Sequence, residues 1–231
     1  MSGTGFAARV EQWVFGRRKL LLVIFLLATV VLFGFATQTK IDAGFEKQLP
    51  QGHPYIETFT KYQAEFGGAN RVMIALMARE GDIFTPEYFT TLEAVTQEMY
   101  GMPGVDQSSV TSLFTPNVRF TEVVEDGFTG GNVVPSDFTP TPAGLAKVRE
   151  NALKSNYMGR LVTDSFNGAM VMANLLDIDS DTGERLDTFA LAKRLEALRV
   201  KHESDAVSVH IIGFAKVMGD VRDGALNVVF F

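Results

Sequence analysis

The sequence predicts an α+β fold in which an N-terminal transmembrane helix carries a water-facing domain. Three observations lead there. An uncharged run, residues 20–37, directly follows a basic triplet, Arg17, Arg18 and Lys19. Two eight-residue apolar runs, 71–78 and 169–176, suit buried strands, and each precedes a segment of helical period. The last residues, Asn227 to Phe231, read as the opening of a second apolar span.

The N-terminal element comes first. Eighteen helical residues rise about 27 Å, close to the roughly 30 Å hydrocarbon core of a bilayer. The balance of charge orients it. Residues 1–19 carry Arg9, Arg17, Arg18 and Lys19 against Glu11, whereas the part beyond residue 37 holds 17 basic and 26 acidic residues. Basic flanks stay cytoplasmic, so the chain from about residue 38 faces the other compartment. Trp13 reads equally as an aromatic anchor at the interface or as an apolar residue of a short amphipathic helix. Gly34, Phe35 and Ala36 could pass as a signal cleavage site, but the apolar run is too long for a signal peptide.

In the outer domain, residues 54–66 place Tyr55, Ile56, Phe59, Tyr62 and Phe66 on one helical face, and Gly67 and Gly68 stop the helix. The run 71–78 is the first strand. Thr85 and Pro86 then supply an N-cap and a first-turn proline. The helix behind them repeats its apolar residues at Tyr88, Phe89, Leu92, Val95 and Met99 until Gly101. Residues 107–113 suit a strand. From Phe114 to Pro140 the chain is rich in Gly, Pro and Thr, which predicts a long loop with one hairpin; loops of such length are functional or mobile. Thr141 and Pro142 open another helix, with Leu145, Val148, Ala152 and Leu153 on one side. The run 169–176 is a strand. Residues 186–200 form a helix with Leu191, Leu195 and Leu198 inward, and 207–213 is a last strand. Equivalent elements recur about 100 residues apart. Two β-α-β halves of this kind make a ferredoxin-like split sheet, here with an insertion at about 114–167.

Composition and motifs exclude several chemistries. With no cysteine there is no disulfide, thiolate metal site or thiol nucleophile. The acidic balance beyond residue 37 argues against nucleic acid, which needs clustered Lys and Arg. Asp177, Asp179, Asp181 and Glu184 invite a calcium loop, but with Asp177 first, Thr182 and Thr188 stand where glycine and glutamate are required. No phosphate-binding loop or nucleophile elbow is present. Gly3, Gly5 and Ala8 match a dinucleotide fingerprint in spacing alone, with no strand before them. His53, His202 and His210 have no ligand partner on their own elements. These readings predict no enzyme, no cofactor and no metal. Phe114, Phe120, Phe128 and Phe138 stud the insertion. They either line a cleft for an apolar or amphipathic substrate or pin the insertion to the core.

The order of several short motifs resembles the N-terminal part of a resistance-nodulation-division (RND) exporter, of the branch grouped with mycobacterial large membrane proteins (MMPL). The motifs are Phe45, Glu46, Lys47, Gln48, Leu49, Pro50, Gln51, Gly52, His53, Pro54 and Tyr55; then Tyr62 and the stretch 66–72; and finally Ile212, Gly213 and Phe214 before a further span. The resemblance covers nearly the whole chain. It implies a proton-driven, multi-pass exporter of lipids, hydrophobic or amphiphilic compounds in the bacterial inner membrane. On that reading residues 1–19 are cytoplasmic, 20–37 is the first span, 38–216 is a periplasmic porter subdomain and 217–231 begins a second span. The proton-relaying carboxylates of such pumps lie in later spans, outside this chain. The implied partners are the bilayer, the substrate and the remaining spans, and an oligomer stays open. Two other readings remain: a single-span anchored periplasmic binding or assembly module without transport, and a secreted enzyme released by signal cleavage.

Overall fold

A computed structural model of the chain describes residues 4–37, 50, 52–66, 70–125, 127–176, 178, 183 and 186–229. It divides into two units, residues 1–43 and 44–231. The motif residues Phe45 to Leu49 and Gln51, the glycines Gly67 and Gly68, the acids at 177, 179, 181 and 184, and Phe230 and Phe231 lie outside the described residues.

The first unit is two helices, α1 (Thr4–Gly16) and α2 (Arg18–Thr37). Between them the Arg17 guanidinium sits 5.7 Å from the Trp13 ring centroid. The segment Arg18–Phe35 of α2 is, among the described residues, the one helix long and apolar enough to cross a membrane. Its leucines, valines and phenylalanines are exposed, Leu21 excepted. Thr29, its single hydroxyl before the last residue, donates to the Phe25 carbonyl oxygen at 2.8 Å, which leaves no bare donor on an otherwise apolar surface.

The second unit runs α3 (Pro54–Phe66), β1 (Arg71–Ala78), α4 (Pro86–Tyr100), β2 (Arg119–Val124), β3 (Gly127–Asn132), α5 (Pro142–Lys154), β4 (Gly168–Asn174), α6 (Thr188–His202), β5 (Val207–Gly213) and α7 (Phe214–Val229). The helix starts follow local chemistry. Thr85 accepts from the Tyr88 amide, Thr141 from the Gly144 amide, and Asp187 from the amides of Phe189 and Ala190, each satisfying donors that the first turn leaves free.

β4, β1 and β5 form an antiparallel sheet in that order, with Ile74 opposite both Val171 and Ile211. Side chains alternate across a strand, so Val72, Ile74 and Leu76 share a face with Ala169, Val171 and Ala173 and with Val207 and Val209. This face is buried with Phe89, Leu92 and Val95 of α4 and Leu191, Leu195 and Leu198 of α6 in one core. The Tyr88 hydroxyl is inserted between the two strands: it donates to the Leu76 carbonyl oxygen and accepts from the Ala169 amide, both at 2.7 Å.

The strand expected at 107–113 is instead a 3-10 turn at Gln107–Ser109, with single bridges from Val105 to Leu175 and from Thr111 to Met172. The cause is Asp106, whose carboxylate accepts from the Ser108 amide at 3.0 Å and the Ser108 hydroxyl at 2.7 Å. Such a local bond competes with the ladder. The outer edge of β4 is still occupied, because Asp106 and Thr111 bond to Asn174 and Met172 while Leu161 and Thr163 bond to Met170 and Gly168. The insertion holds the β2–β3 hairpin and α5. On α5, Asn151 is buried and Leu153 is exposed, the reverse of what polarity suggests. The Asn151 amide donates to the Val133 carbonyl oxygen at 3.0 Å, and Leu153 lies well off the face of Leu145 and Val148.

Helix α7 continues β5 without a break and packs along α6. Gly219 makes this close approach; a Cβ there would overlap the Ala192 methyl. Lys216 pairs with Asp220 and, at 3.1 Å, with Glu196 on α6. Arg222 stacks 4.4 Å from the Phe189 ring centroid.

Candidate functional site

The second face of the sheet is formed by the other alternate residues: Met73, Ala75 and Met77 on β1, Gly168, Met170 and Met172 on β4, and Ser208, His210 and Ile212 on β5. The register sets them in rows, Met172–Met73–Ile212, then Met170–Ala75–His210, then Gly168–Met77–Ser208. An antiparallel sheet with one face to water alternates apolar with polar residues. This one does not. Its second face is mostly sulfur and hydrocarbon, with the methionines half-buried and Ile212 51% exposed. The Met77 thioether lies over Gly168, where a Cβ would collide with it. Unbranched thioether chains adapt to irregular partners, which is why methionine recurs on promiscuous binding surfaces.

At one end of this face the next row is Arg71–Asn174. Beside it lies a cleft of about 220 Å³ lined by Arg71, Ser109, Thr111, Tyr157, Arg160, Leu161, Met172, Ala173 and Asn174. Arg71 Nε donates to Asn174 Oδ1 at 3.1 Å. The Asn174 backbone N–H donates to the Ser109 hydroxyl at 2.8 Å, and the Tyr157 hydroxyl to the Asn117 carbonyl oxygen at 3.0 Å. Leu161, Met172 and Ala173 supply the apolar part. The lining carries two guanidinium groups and, among the described residues, no carboxylate. Met172 belongs to both cleft and face, so the two are continuous.

The four phenylalanines of the insertion are not brought together there. Phe114 and Phe138 pack on Phe89 of α4, with ring centroids 5.9 and 5.5 Å away, and on each other at 5.9 Å. Phe120 is half-buried against Gly131 of the hairpin, and Phe128 is 80% exposed near the hairpin turn. None of them lines the cleft. The signal that could have found the site was in the strands themselves: in 71–78 the valine, isoleucine and leucine occupy one parity and the methionines the other.

Other charged groups serve packing. Glu98 of α4 meets Lys201 of α6 and, at 2.9 Å, His202 Nε2. Partial burial pushes its carboxyl up, but the hydrogen bonds from Lys201 and His202 outweigh that and hold it below the usual carboxylate range. Arg149 lies over both Phe84 and Phe166, 5.2 and 5.0 Å from their centroids, and pairs with Asp82 at 3.0 Å. Phe166 holds a φ of 55°, a left-handed conformation rare for an aromatic residue. Among the described residues no group of three His, Asp or Glu converges to hold a metal. The cleft thus sets two guanidinium groups and several hydroxyl groups beside a mostly apolar sheet face.

No protein-family model matches the chain. The chain is similar to a protein of Methanocaldococcus jannaschii provisionally named as a membrane protein, MJ1562, at 23% identity over 224 residues, covering 86% of this chain. The chain spans about half, 55%, of that relative's length. The similarity and the exposed apolar helix α2 both point to association with a membrane.

Proposed function

We propose that this chain is the N-terminal part of a proton-driven, RND-type exporter of the MMPL branch, and that the second unit is its periplasmic porter subdomain. The observation that carries the reading is the methionine-rich, mostly apolar second face of the β4-β1-β5 sheet. Residues 72–78 are apolar on both parities, as in a strand covered on both sides, yet the α4 and α6 residues of the core pack on the Val72, Ile74 and Leu76 side. A porter handling lipids, hydrophobic compounds or amphiphiles needs such a surface.

Three further features support it. The order β5-β1-β4, with residues 105–111 bridged to the outer edge of β4, is consistent with a ferredoxin-like split sheet whose second strand has been reduced to bridges. α2 has the length of a span, and its basic flank favours a cytoplasmic N-terminus and a periplasmic second unit. α7 leads out of the sheet toward the apolar residues from Ala225 onward, suited to the start of a second span. Transport then belongs to a longer protein in the inner membrane, whose later spans supply the proton relay.

The test is efflux of a fluorescent amphiphile by cells making the full-length protein, with and without a proton uncoupler, beside Met73→Asp and Met170→Asp variants. Efflux that needs the gradient and is lost in both variants supports the proposal. Efflux indifferent to the gradient, or none at all while the chain still binds amphiphile, favours the membrane-anchored binding module instead.

A further inference from the structure

We infer that the cleft beside Arg71 and Asn174 is a subsite for the anionic head group of a single-chain amphiphile, whose alkyl tail lies along the methionine face. This rests on the exporter reading only for its purpose; the binding itself is a property of the described sheet.

Size comes first. A cleft of about 220 Å³ is smaller than the roughly 300–1,000 Å³ that encloses a whole drug-sized ligand. It suits a head group whose remainder lies elsewhere. Met172 leads out of the cleft onto the face. From its row to the Gly168–Met77 row is four residues along a strand, ~14 Å at about 3.4 Å per residue. An extended chain advances about 1.2 Å per backbone bond, so a tail of about twelve carbons covers the distance.

Charge comes second. The part of the chain beyond residue 37 is strongly acidic and as a whole repels anions. The cleft inverts that locally, with Arg71 and Arg160 in the lining and no acid among the described lining residues. Neither arginine has a carboxylate partner among the described residues. Arg71 is instead oriented by a neutral group, Asn174 Oδ1, at 3.1 Å, which leaves its positive charge uncancelled. Guanidinium donors match phosphate and carboxylate oxygens in pairs, and Ser109, Thr111 and Tyr157 add hydroxyl groups around them. Both guanidinium groups are exposed at the cleft and can pair with the oxygens of an anion, which a neutral head group does not offer, so the geometry favours an anion.

The experiment uses the full chain in lipid nanodiscs with 13C-methyl-labelled methionine, read by NMR against empty discs. Dodecyl phosphate is titrated beside dodecyl maltoside and inorganic phosphate. Saturable shifts of the Met172, Met73 and Met170 methyls with dodecyl phosphate are expected, with affinity falling about tenfold in Arg160→Gln, a charge-assisted hydrogen bond being worth roughly that factor or more. Arg71→Gln is expected to do the same; if it alters the ligand-free methyl spectrum, the Arg160→Gln result decides. Arg79→Gln, whose partner Glu203 lies elsewhere, is expected to bind as the parent does. Dodecyl maltoside binding as tightly as dodecyl phosphate, or Arg160→Gln without effect, overturns the anionic subsite. Inorganic phosphate binding as tightly as the alkyl phosphate overturns the amphiphile. Loss of gradient-dependent efflux in the full-length protein with this binding intact sinks the exporter reading and leaves the subsite standing; the reverse pattern does the opposite.

Discussion

Replacing Tyr88 by phenylalanine removes one oxygen atom from the middle of the sheet. That oxygen makes two bonds of 2.7 Å, one given to Leu76 O and one taken from Ala169 N, and Tyr88 is 1% exposed. The variant keeps the ring and its packing but leaves a buried carbonyl and a buried amide without their partner. Each such group costs about 1–3 kcal/mol. The carbonyl oxygen has a second lone pair to fall back on, so the expected loss is about 2–4 kcal/mol. Urea unfolding of the full chain in non-ionic micelles measures it, followed by far-ultraviolet circular dichroism because Trp13 lies in the other unit. A second arm uses pH. Burial pushes the Tyr88 phenol well above its ordinary value of 10.0, against the smaller lowering effect of the Ala169 amide. A folded-state pKa raised above the unfolded one contributes stability that is complete below pH 10 and is lost as pH climbs toward the folded value. The parent should therefore lose up to ~1.4 kcal/mol per pH unit above pH 10 that Tyr88→Phe does not lose. A change below about 0.5 kcal/mol at neutral pH, or the same alkaline loss in both proteins, refutes the account of the inserted hydroxyl.

Four other outcomes are expected. Gly219→Ala should destabilise the α6–α7 contact by about 1–3 kcal/mol because its methyl meets Ala192, whereas Gly224→Ala, with open space around it, should gain up to about 1 kcal/mol from helix propensity; amide hydrogen exchange on α6 separates the two. Phe114→Ala and Phe138→Ala should each cost about 2–4 kcal/mol through the Phe89 cluster, while Phe128→Ala leaves the urea midpoint unchanged. The Glu98 carboxyl is held low, so its contribution is present above its ordinary value of 4.5 and lost as pH falls through the depressed one; Glu98→Gln should flatten that acid limb of the thermal midpoint, by less than about 1 kcal/mol for so exposed a group. Single cysteines at Arg9 and Ser108, in a chain that has none of its own, should label from opposite sides of the membrane with an impermeant maleimide; labelling from one side contradicts a spanning α2.

The parts of the fold that could be read from the sequence are those where hydrophobic burial and capping agree. The strands 71–78 and 207–213 and the helices α3 and α4 have the expected bounds, because Thr85 with Pro86 and the glycines punctuate runs of clear period. The edge beside β4 was not legible: Val110 and Leu113 are buried, but a four-residue turn set by Asp106 decides the backbone, and apolar content says nothing of that. α6 begins at Thr188 rather than 186, since the Asp187 cap and not Leu186 fixes the start. The candidate site was legible in half. The methionine face follows from strand parity alone. The cleft does not, because Arg71 and Arg160 are brought together by the bridge of Val162 to Ala169 and the bonds of Leu161 to β4, pairings with no local signature. The insertion phenylalanines are conspicuous in composition, and two of them, Phe114 and Phe138, fasten the insertion to α4.

Gly213 ends β5 and Phe214 begins α7, with no residue between to absorb a change of angle. The helix is moreover clamped to α6 at Gly219 and by the Lys216–Glu196 pair. A tilt imposed on the far end of α7 has no slack to take up. It works on the sheet as a stiff handle works on a plate: the row Gly213–Val72–Ala173 is the first to feel it, and Ile212–Met73–Met172 the next.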